Sequence, residues 1–365
     1  MKMNQFEKIN NLIQRVKDII KAIPTKIKVI SVLILILIIV VVLISVSIIR
    51  VIEIERTKQK YEIYDGSNLD EDKYPGYKAL IDSLQTAHPN WTFTLFYTRL
   101  DWEEVIANEG HSDTRLNPLN LIPDSSVYPE DWRCEVCGDK RYDNGTWLCA
   151  SEKAIRHQMD PRNIINENNI FQFLELKYTA EAHTVDGIMS LTEGSFLDGI
   201  SIAEALLQAG EKANVDPYFI TSRLIQEQGR SGTALSRGYE YNGVIVYNPF
   251  NINATGNSSE EILDNAARYA YEQNWDTLEN ALIGGVDFVR NGYIDIGQNT
   301  LYLQKFDVVN QDGELYTHQY MQNLLAPESE ASNMKAIYEA AGTSNANLNF
   351  IIPLYENMPE EISEY

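Results

Sequence analysis

The residues most able to do chemistry in this chain are a glutamate, Glu227, closing the stretch PYFITSRLIQEQ, and three cysteines, Cys134, Cys137 and Cys149, in CEVCGDKRYDNGTWLC. Asp216 followed by Pro217 is a helix-start signal, an N-cap acceptor ahead of a first-turn proline. A helix begun there puts Ile220, Leu224 and Glu227 at i, i+4 and i+7 on one face, so an apolar stripe ends in a carboxylate. Gly229 and Gly232 then stop the helix and open a loop with little side-chain cover. Partial burial disfavours the charged form of a carboxylate, and a carboxyl that keeps its proton near neutral pH is what general-acid catalysis needs. The plain alternatives are an ion pair between Glu227 and Arg223 or Arg230, and a side chain that simply points to solvent at the helix terminus.

The cysteines form a C-x2-C pair with a third cysteine twelve residues on. Such a turn suits tetrahedral zinc, with His157 or His111 as the fourth ligand, since no fourth cysteine exists. A disulfide between two of the three, leaving one thiol, and three free thiols are the other readings. Each makes the segment structural. No phosphate loop, Ser-His-Asp signature or H-E-x-x-H motif is present, so no cofactor is expected for catalysis.

The elements that must position these groups begin after a long apolar run. Residues 29–49 hold no charge, and 21 helical residues at about 1.5 Å each reach about 31 Å, the thickness of a bilayer core. Residues 1–28 carry seven basic against two acidic side chains, which predicts a cytoplasmic basic stub, a transmembrane anchor over 29–49 and an extracellular remainder. The run is too long, and its basic flank too extended, for a cleaved signal peptide. Within the stub, Phe6, Ile9, Ile13, Val16 and Ile20 recur at helical spacing between lysines, which fits either an amphipathic helix on the inner leaflet or a solvated stub. The net charge of −22 leaves the exported part strongly acidic, which argues against nucleic acid as partner.

Residues 50–73 read as a juxtamembrane linker and residues 74–160 as a small α/β unit, with helical spacing over 77–86, strand alternation in WTFTLFY and a second helix capped by Asp101. This unit carries the cysteine insertion and is the surface expected to meet any membrane-protein partner. Residues 161–353 are mainly helical, and 354–365 form an acidic, frayed tail.

Four ordered stretches, SRLIQEQGRSGTAL, YNPFNINATG, IGGVDFVRNGYIDIGQNTLYLQKFDV and THQYMQNLLAP, together resemble the glucosaminidases of glycoside hydrolase family 73, most of all the membrane-anchored members of Gram-positive bacteria. The likeness covers about residues 160–330, with upstream echoes in YPGYKALIDSLQTAHPNWTF and MDPRNIINENNIFQFLEL. It implies a mainly α, lysozyme-like catalytic domain of α+β type, with a glycan groove between two lobes. It further implies that Glu227 is the catalytic acid, that Tyr293 and Tyr320 serve activity, and that Asn248, Phe250 and Asn251 line the groove. The implied reaction is cleavage of the GlcNAc-β-1,4-MurNAc bond of peptidoglycan, trimming wall within reach of the anchor. A second carboxylate is not evident: Glu240 in RGYEYNG is one candidate, and attack by the sugar's own acetamide is another. Lytic transglycosylase chemistry on the same frame, or a glycan-binding scaffold without turnover, are the rival readings. Phenols stack on sugar faces and donate hydrogen bonds, which suits both tyrosines, whereas Gln298, Asn299 and Thr300 suit the holding of loop backbone.

Overall fold

The computed structural model describes residues 59–365 apart from 116, 143, 144 and 311–313, together with residues 14, 15, 17, 18 and 24. The chain divides into two units, Met1–Lys58 and Gln59–Tyr365. In the first, Gln14, Arg15, Lys17 and Asp18 are helical and exposed, and the apolar run over 29–49 lies outside the described residues. Among the described residues no helix is long and apolar enough to cross a membrane.

The second unit opens with a strand, β1 (Lys60–Ile63), inside the stretch read as linker, followed by α1 (Tyr77–Ala87), β2 (Thr92–Asp101) and α2 (Trp102–Glu109). Asp101 caps α2 as its sequence predicts, accepting from the amides of Glu103 and Glu104. The cysteine segment contributes β3 (Leu121–Pro123), β4 (Arg141–Tyr142) and β5 (Trp147–Cys149), a small sheet in the order β3-β5-β4. Two short helices, α3 (Glu152–Met159) and α4 (Pro161–Ile164), lead into the helical body of α5 (Val185–Thr192), α6 (Ile200–Ala213) and α7 (Pro217–Gln228). A smaller lobe holds α8 (Ala234–Arg237), the hairpin β6 (Tyr239–Tyr241) and β7 (Val244–Val246), and α9 (Ser259–Glu272). The chain returns through α10 (Leu278–Val289), α11 (Leu301–Phe306) and α12 (Ala326–Ala340) to end in β8 (Asn349–Glu356). The fold is therefore mixed helix and sheet, with more strand than the helical pattern after residue 160 implied.

β8 decides how the domains are drawn. It pairs in parallel with β2, matching Phe93 to Phe350, Leu95 to Ile352 and Tyr97 to Leu354, while β1 pairs antiparallel on the other edge. A parallel pair needs a crossover, and here the whole helical body is that crossover. Pro353 is tolerated because β8 is an edge strand and its missing N–H breaks no ladder. One hydrophobic core runs from Tyr64 to Met358, so the expected division at residue 160 does not separate two cores, and residue 354 lies inside a strand. Over residues 59–73 the linker reading fails for the same reason, since Tyr64 and Leu69 are buried in that core, while residues 50–58 of the stretch lie outside the described residues.

Nor is the acidic tail frayed. The Arg162 guanidinium grips Asp160 through two bonds of 2.9 and 2.8 Å, both side chains having no exposed surface. It also donates to the carbonyls of Pro359 and Glu361, and the Asp160 carboxylate accepts from the Ser363 amide. Tyr365 packs on Trp132. A buried charge pair satisfied by the backbone of its own chain's terminus ties that terminus to the body, although most of its side chains stay exposed.

Replacing Arg162 by alanine leaves Asp160 buried without its counter-charge, and should lower unfolding stability by about 3–5 kcal/mol in chemical denaturation.

Candidate active site

Asp216 accepts from the amides of Tyr218 and Phe219, and the helix it caps, α7, runs over the residues its sequence predicts. That cap is itself anchored: Tyr338 of α12 donates to Asp216 at 2.7 Å and shares the buried cluster with His183. Gly187 lets α5 approach, because a Cβ there would lie 2.1 Å from the Tyr218 hydroxyl. The N-terminal end of α7 is thus fixed, and its last turn carries Glu227 outward to a C-cap at Gly229, whose φ of 69° favours glycine.

Ile220 and Leu224 are buried as expected, but Glu227 is exposed. In the final turn the buried position is taken by Gln228, which donates to the Pro249 carbonyl. What meets the carboxylate instead is a phenol, the Tyr320 hydroxyl donating to Oε1 at 2.5 Å from 93 residues further along the chain. Neither arginine forms the ion pair that was one plain alternative, whereas the other, a side chain facing solvent at the helix end, agrees with the exposure of Glu227. Arg230 donates to the Glu193 carbonyl, and Arg223 is committed to Glu330 at 3.3 Å and to the Gln304 amide oxygen at 2.8 Å.

Tyr320 is held on three sides. Its amide donates to the Gln304 carbonyl, the Arg223 guanidinium lies 3.5 Å from its ring centre, and Tyr293 meets it edge-on with ring centres 6.0 Å apart. Burial pushes the Tyr320 phenol up, the Glu227 carboxylate adding to this against Arg223, so it remains a proton-bearing donor throughout the physiological range. Tyr293, on a π-type turn after α10, is raised likewise by burial, and its ring packs on His318.

The loop that delivers Tyr320 hangs on Asp307. This fully buried carboxylate, in left-handed backbone after α11, accepts from the amides of Thr317 at 2.7 Å and His318 at 2.8 Å and from the Gln298 side chain at 2.5 Å. Gln298 also donates to the His318 carbonyl, and Gln304 donates to the Gln298 carbonyl. Gln298 and Thr300 therefore hold backbone as their sequence suggested, Thr300 as the cap of α11. From the other side, Gln319 donates to the buried Glu109 carboxylate at 2.8 Å, which Asn120 also reaches. Burial raises Glu109 and lowers Lys305, whose ammonium donates to Gln319 and the Leu119 carbonyl.

The groove residues sort differently. Asn248 is fully buried and spends its amide on the Ile252 carbonyl, the Ala266 carbonyl and the Ile252 amide, so it shapes its loop and cannot line a groove. Phe250 packs against both hydrophobic cores, its ring filling the space above Gly285, where a Cβ would lie 2.0 Å away. Asn251 is exposed in left-handed backbone, available to a ligand. Glu240 is exposed on β6, and no hydrogen bond or ion pair among the described residues joins it to Glu227.

Glu330 was not singled out by its sequence. Burial raises its carboxyl, Arg223 opposing, and both line a cavity of about 730 Å³ with Phe219, Gln226, Asn323 and Met334. The cavity adjoins the α7 turn that carries Glu227 but does not include Glu227 itself. Gln304 and Asp307 were missed, Gln304 as a polar residue inside the short apolar helix α11 and Asp307 as the left-handed residue that ends it, while Arg223 was read only as a possible partner of Glu227. Of the histidines offered as ligands, His157 packs on Trp132 and Tyr365, and His111 lies with the three cysteines.

No family model matches the chain. Its sequence is similar to a β-N-acetylglucosaminidase of Bacillus subtilis, 29% identical over 214 residues, which is 57% of this chain and 23% of that protein. It is also similar to bifunctional autolysins of Staphylococcus epidermidis, 26% identical over 58% of this chain and 16% of theirs, and of Staphylococcus aureus, 27% identical over 58% and 17%. The chain thus spans less than a quarter of the length of the curated relatives it matches. Among solved structures it shares its fold with S. aureus glucosaminidase B, at a TM-score of 0.54 and 21% identity over 75% of this chain and 97% of that one. The same holds for a major bifunctional autolysin, at 0.51 and 22% over 73% and 98%. The resemblance to glucosaminidases drawn from four sequence motifs is borne out by these relatives.

Proposed function

We propose that this chain is a peptidoglycan hydrolase, an endo-β-N-acetylglucosaminidase that cleaves the GlcNAc-β-1,4-MurNAc bond on a lysozyme-like frame. The observation that carries the reading is the Tyr320–Glu227 hydrogen bond, which joins two motifs far apart in sequence at one exposed carboxylate. Glu227 gives its proton to the leaving sugar oxygen. Tyr320 holds Oε1, which leaves the other carboxyl oxygen to face the glycosidic bond, and Tyr293 presents its ring beside Tyr320 for a sugar to pack on. The relatives named for this activity support the reading.

Glu330, which Arg223 holds at 3.3 Å, lines the neighbouring cavity, and Glu227 is not among the residues of that cavity. Glu240 across the smaller lobe, or the substrate's own acetamide, completes the reaction. The apolar run over 29–49 and its basic flank support a single-pass anchor with the catalytic unit outside the cell, where a tether restricts cutting to nascent wall.

Glu227→Gln keeps the size of the side chain and removes the acid; peptidoglycan digestion should fall by about 10²–10⁴-fold. Mass spectrometry of fragments released by the parent should show reducing-end GlcNAc. Anhydro-muramyl ends would replace hydrolysis by transglycosylase chemistry, and binding without release would leave a scaffold. Tyr320→Phe retains the ring on Arg223 but loses the bond to Glu227, so kcat should drop about 10–100-fold with an unchanged melting temperature. Asp307→Ala strands the Thr317 and His318 amides: stability should fall by about 1–3 kcal/mol and kcat with it, because the Tyr320 loop loses its anchor.

A further inference from the structure

The cysteine segment takes no part in the proposed chemistry, yet it contains the densest cluster of soft ligands among the described residues. One nitrogen of His111 and the sulfurs of Cys134, Cys137 and Cys149 all lie within 4.8 Å of one another, and His111 Nδ1 is 3.2 Å from Cys137 Sγ. Zinc bonds of about 2.3 Å to sulfur and about 2.0–2.1 Å to nitrogen, set at tetrahedral angles, place ligand atoms about 3.5–3.8 Å apart, inside that spread. A Cys3His set is a closed, structural type of site.

The four residues come from three places that the fold brings together. His111 follows the end of α2, and Cys149 ends β5. Cys134 and Cys137 flank a tight turn in which the Gly138 amide donates to the Cys134 carbonyl with Gly138 at a φ of 56°. The Cys134 amide then donates to the Cys149 carbonyl at 3.0 Å, fixing the turn against the strand. Cys134 and Cys149 are buried.

An independent observation concerns the other face of the imidazole. His111 Nε2 lies 3.1 Å from the Asp113 carboxylate, so this nitrogen carries the proton and Nδ1 turns its lone pair to the sulfurs. A ligating histidine braced by a carboxylate on its far nitrogen is the usual outer shell of zinc. The Tyr142 hydroxyl is placed to donate to Cys137 Sγ at 3.7 Å, as outer-shell donors to thiolates do. A disulfide would use two of the sulfurs and leave the braced histidine and one thiol without a purpose. None of the three cysteines is bonded to another.

We propose that His111, Cys134, Cys137 and Cys149 bind one structural zinc ion. The metal staples a segment with little core of its own, and that segment supports the active-site loop. Leu121 of β3 exchanges backbone hydrogen bonds with Gln322 and Leu324 at 2.8 and 2.9 Å, immediately after Tyr320, and Gln322 donates to the Pro118 carbonyl. Metal binding stands independently of the glucosaminidase reading; only its effect on activity rests on it.

The test is metal analysis and thiol titration of the purified full chain. One zinc per chain is expected, with native thiols slow to react and three thiols appearing after denaturation with a chelator. Cobalt in place of zinc should give the intense visible bands of a tetrahedral thiolate site. His111→Ala and Cys149→Ser should lose the metal, whereas His111→Cys, His157→Ala and Glu227→Gln should keep it. Three titratable thiols without metal, or a single thiol beside a disulfide, in the parent chain would overturn the proposal. So would full zinc content in His111→Ala, and these readouts do not depend on how any variant folds or whether it cleaves glycan.

Discussion

Asp307 is a carboxylate with no exposed surface, and its oxygens are met by two backbone amides of one loop and a side-chain amide of another. A buried charge is tolerated only where its acceptor capacity is filled, so these donors cannot move far without a large penalty. The loop over 317–320 therefore has one place to be, and Tyr320 arrives at Glu227 in consequence. Gln298 and Gln304 extend the constraint to Arg223, so α7 and α11 share one buried polar network with the loop. Such networks are costly when half satisfied, and here the Asp307 oxygens are filled while Gln298 Oε1, Arg223 Nε and Glu330 Oε1 are left without a partner.

Some of this was legible in the chain. Asp216-Pro217 fixed the start of α7, and the two glycines after Glu227 fixed its end, because caps and breakers act locally. The alternation in WTFTLFY gave β2, and Asp101 gave the start of α2. What lay outside local reading was pairing between distant segments. β8 reads FIIPLYE, an apolar run containing a proline, and nothing within it says that it will lie parallel to a strand 257 residues earlier. The tail fails to fray because Asp160 and Arg162, not its own residues, hold it. Asn248 shows the converse: a motif names the residue, but only its hydrogen bonds distinguish the shaping of a loop from contact with a ligand.

The burial expected for Glu227 rested on helical spacing alone. Spacing assigns a face, and whether the face is covered depends on what packs at that height along the helix. Ile220 and Leu224 are covered; in the last turn it is Gln228 that is buried, bonded to the Pro249 carbonyl, and the Glu227 carboxylate stands at the surface with a phenol beside it.

A guanidinium beside a carboxylate pairs with it and favours its ionised form. Arg223 sits four residues before Glu227 on the same helix, the spacing at which such pairs form readily. Glu330 and Gln304 draw it away, and its charge is spent against a buried carboxylate and against the face of Tyr320. Glu227 is left with a neutral donor on one oxygen. The buried pair thus does more than stabilise the junction of α7 and α12: by occupying the arginine, it leaves the Tyr320 phenol as the group that meets the exposed carboxylate.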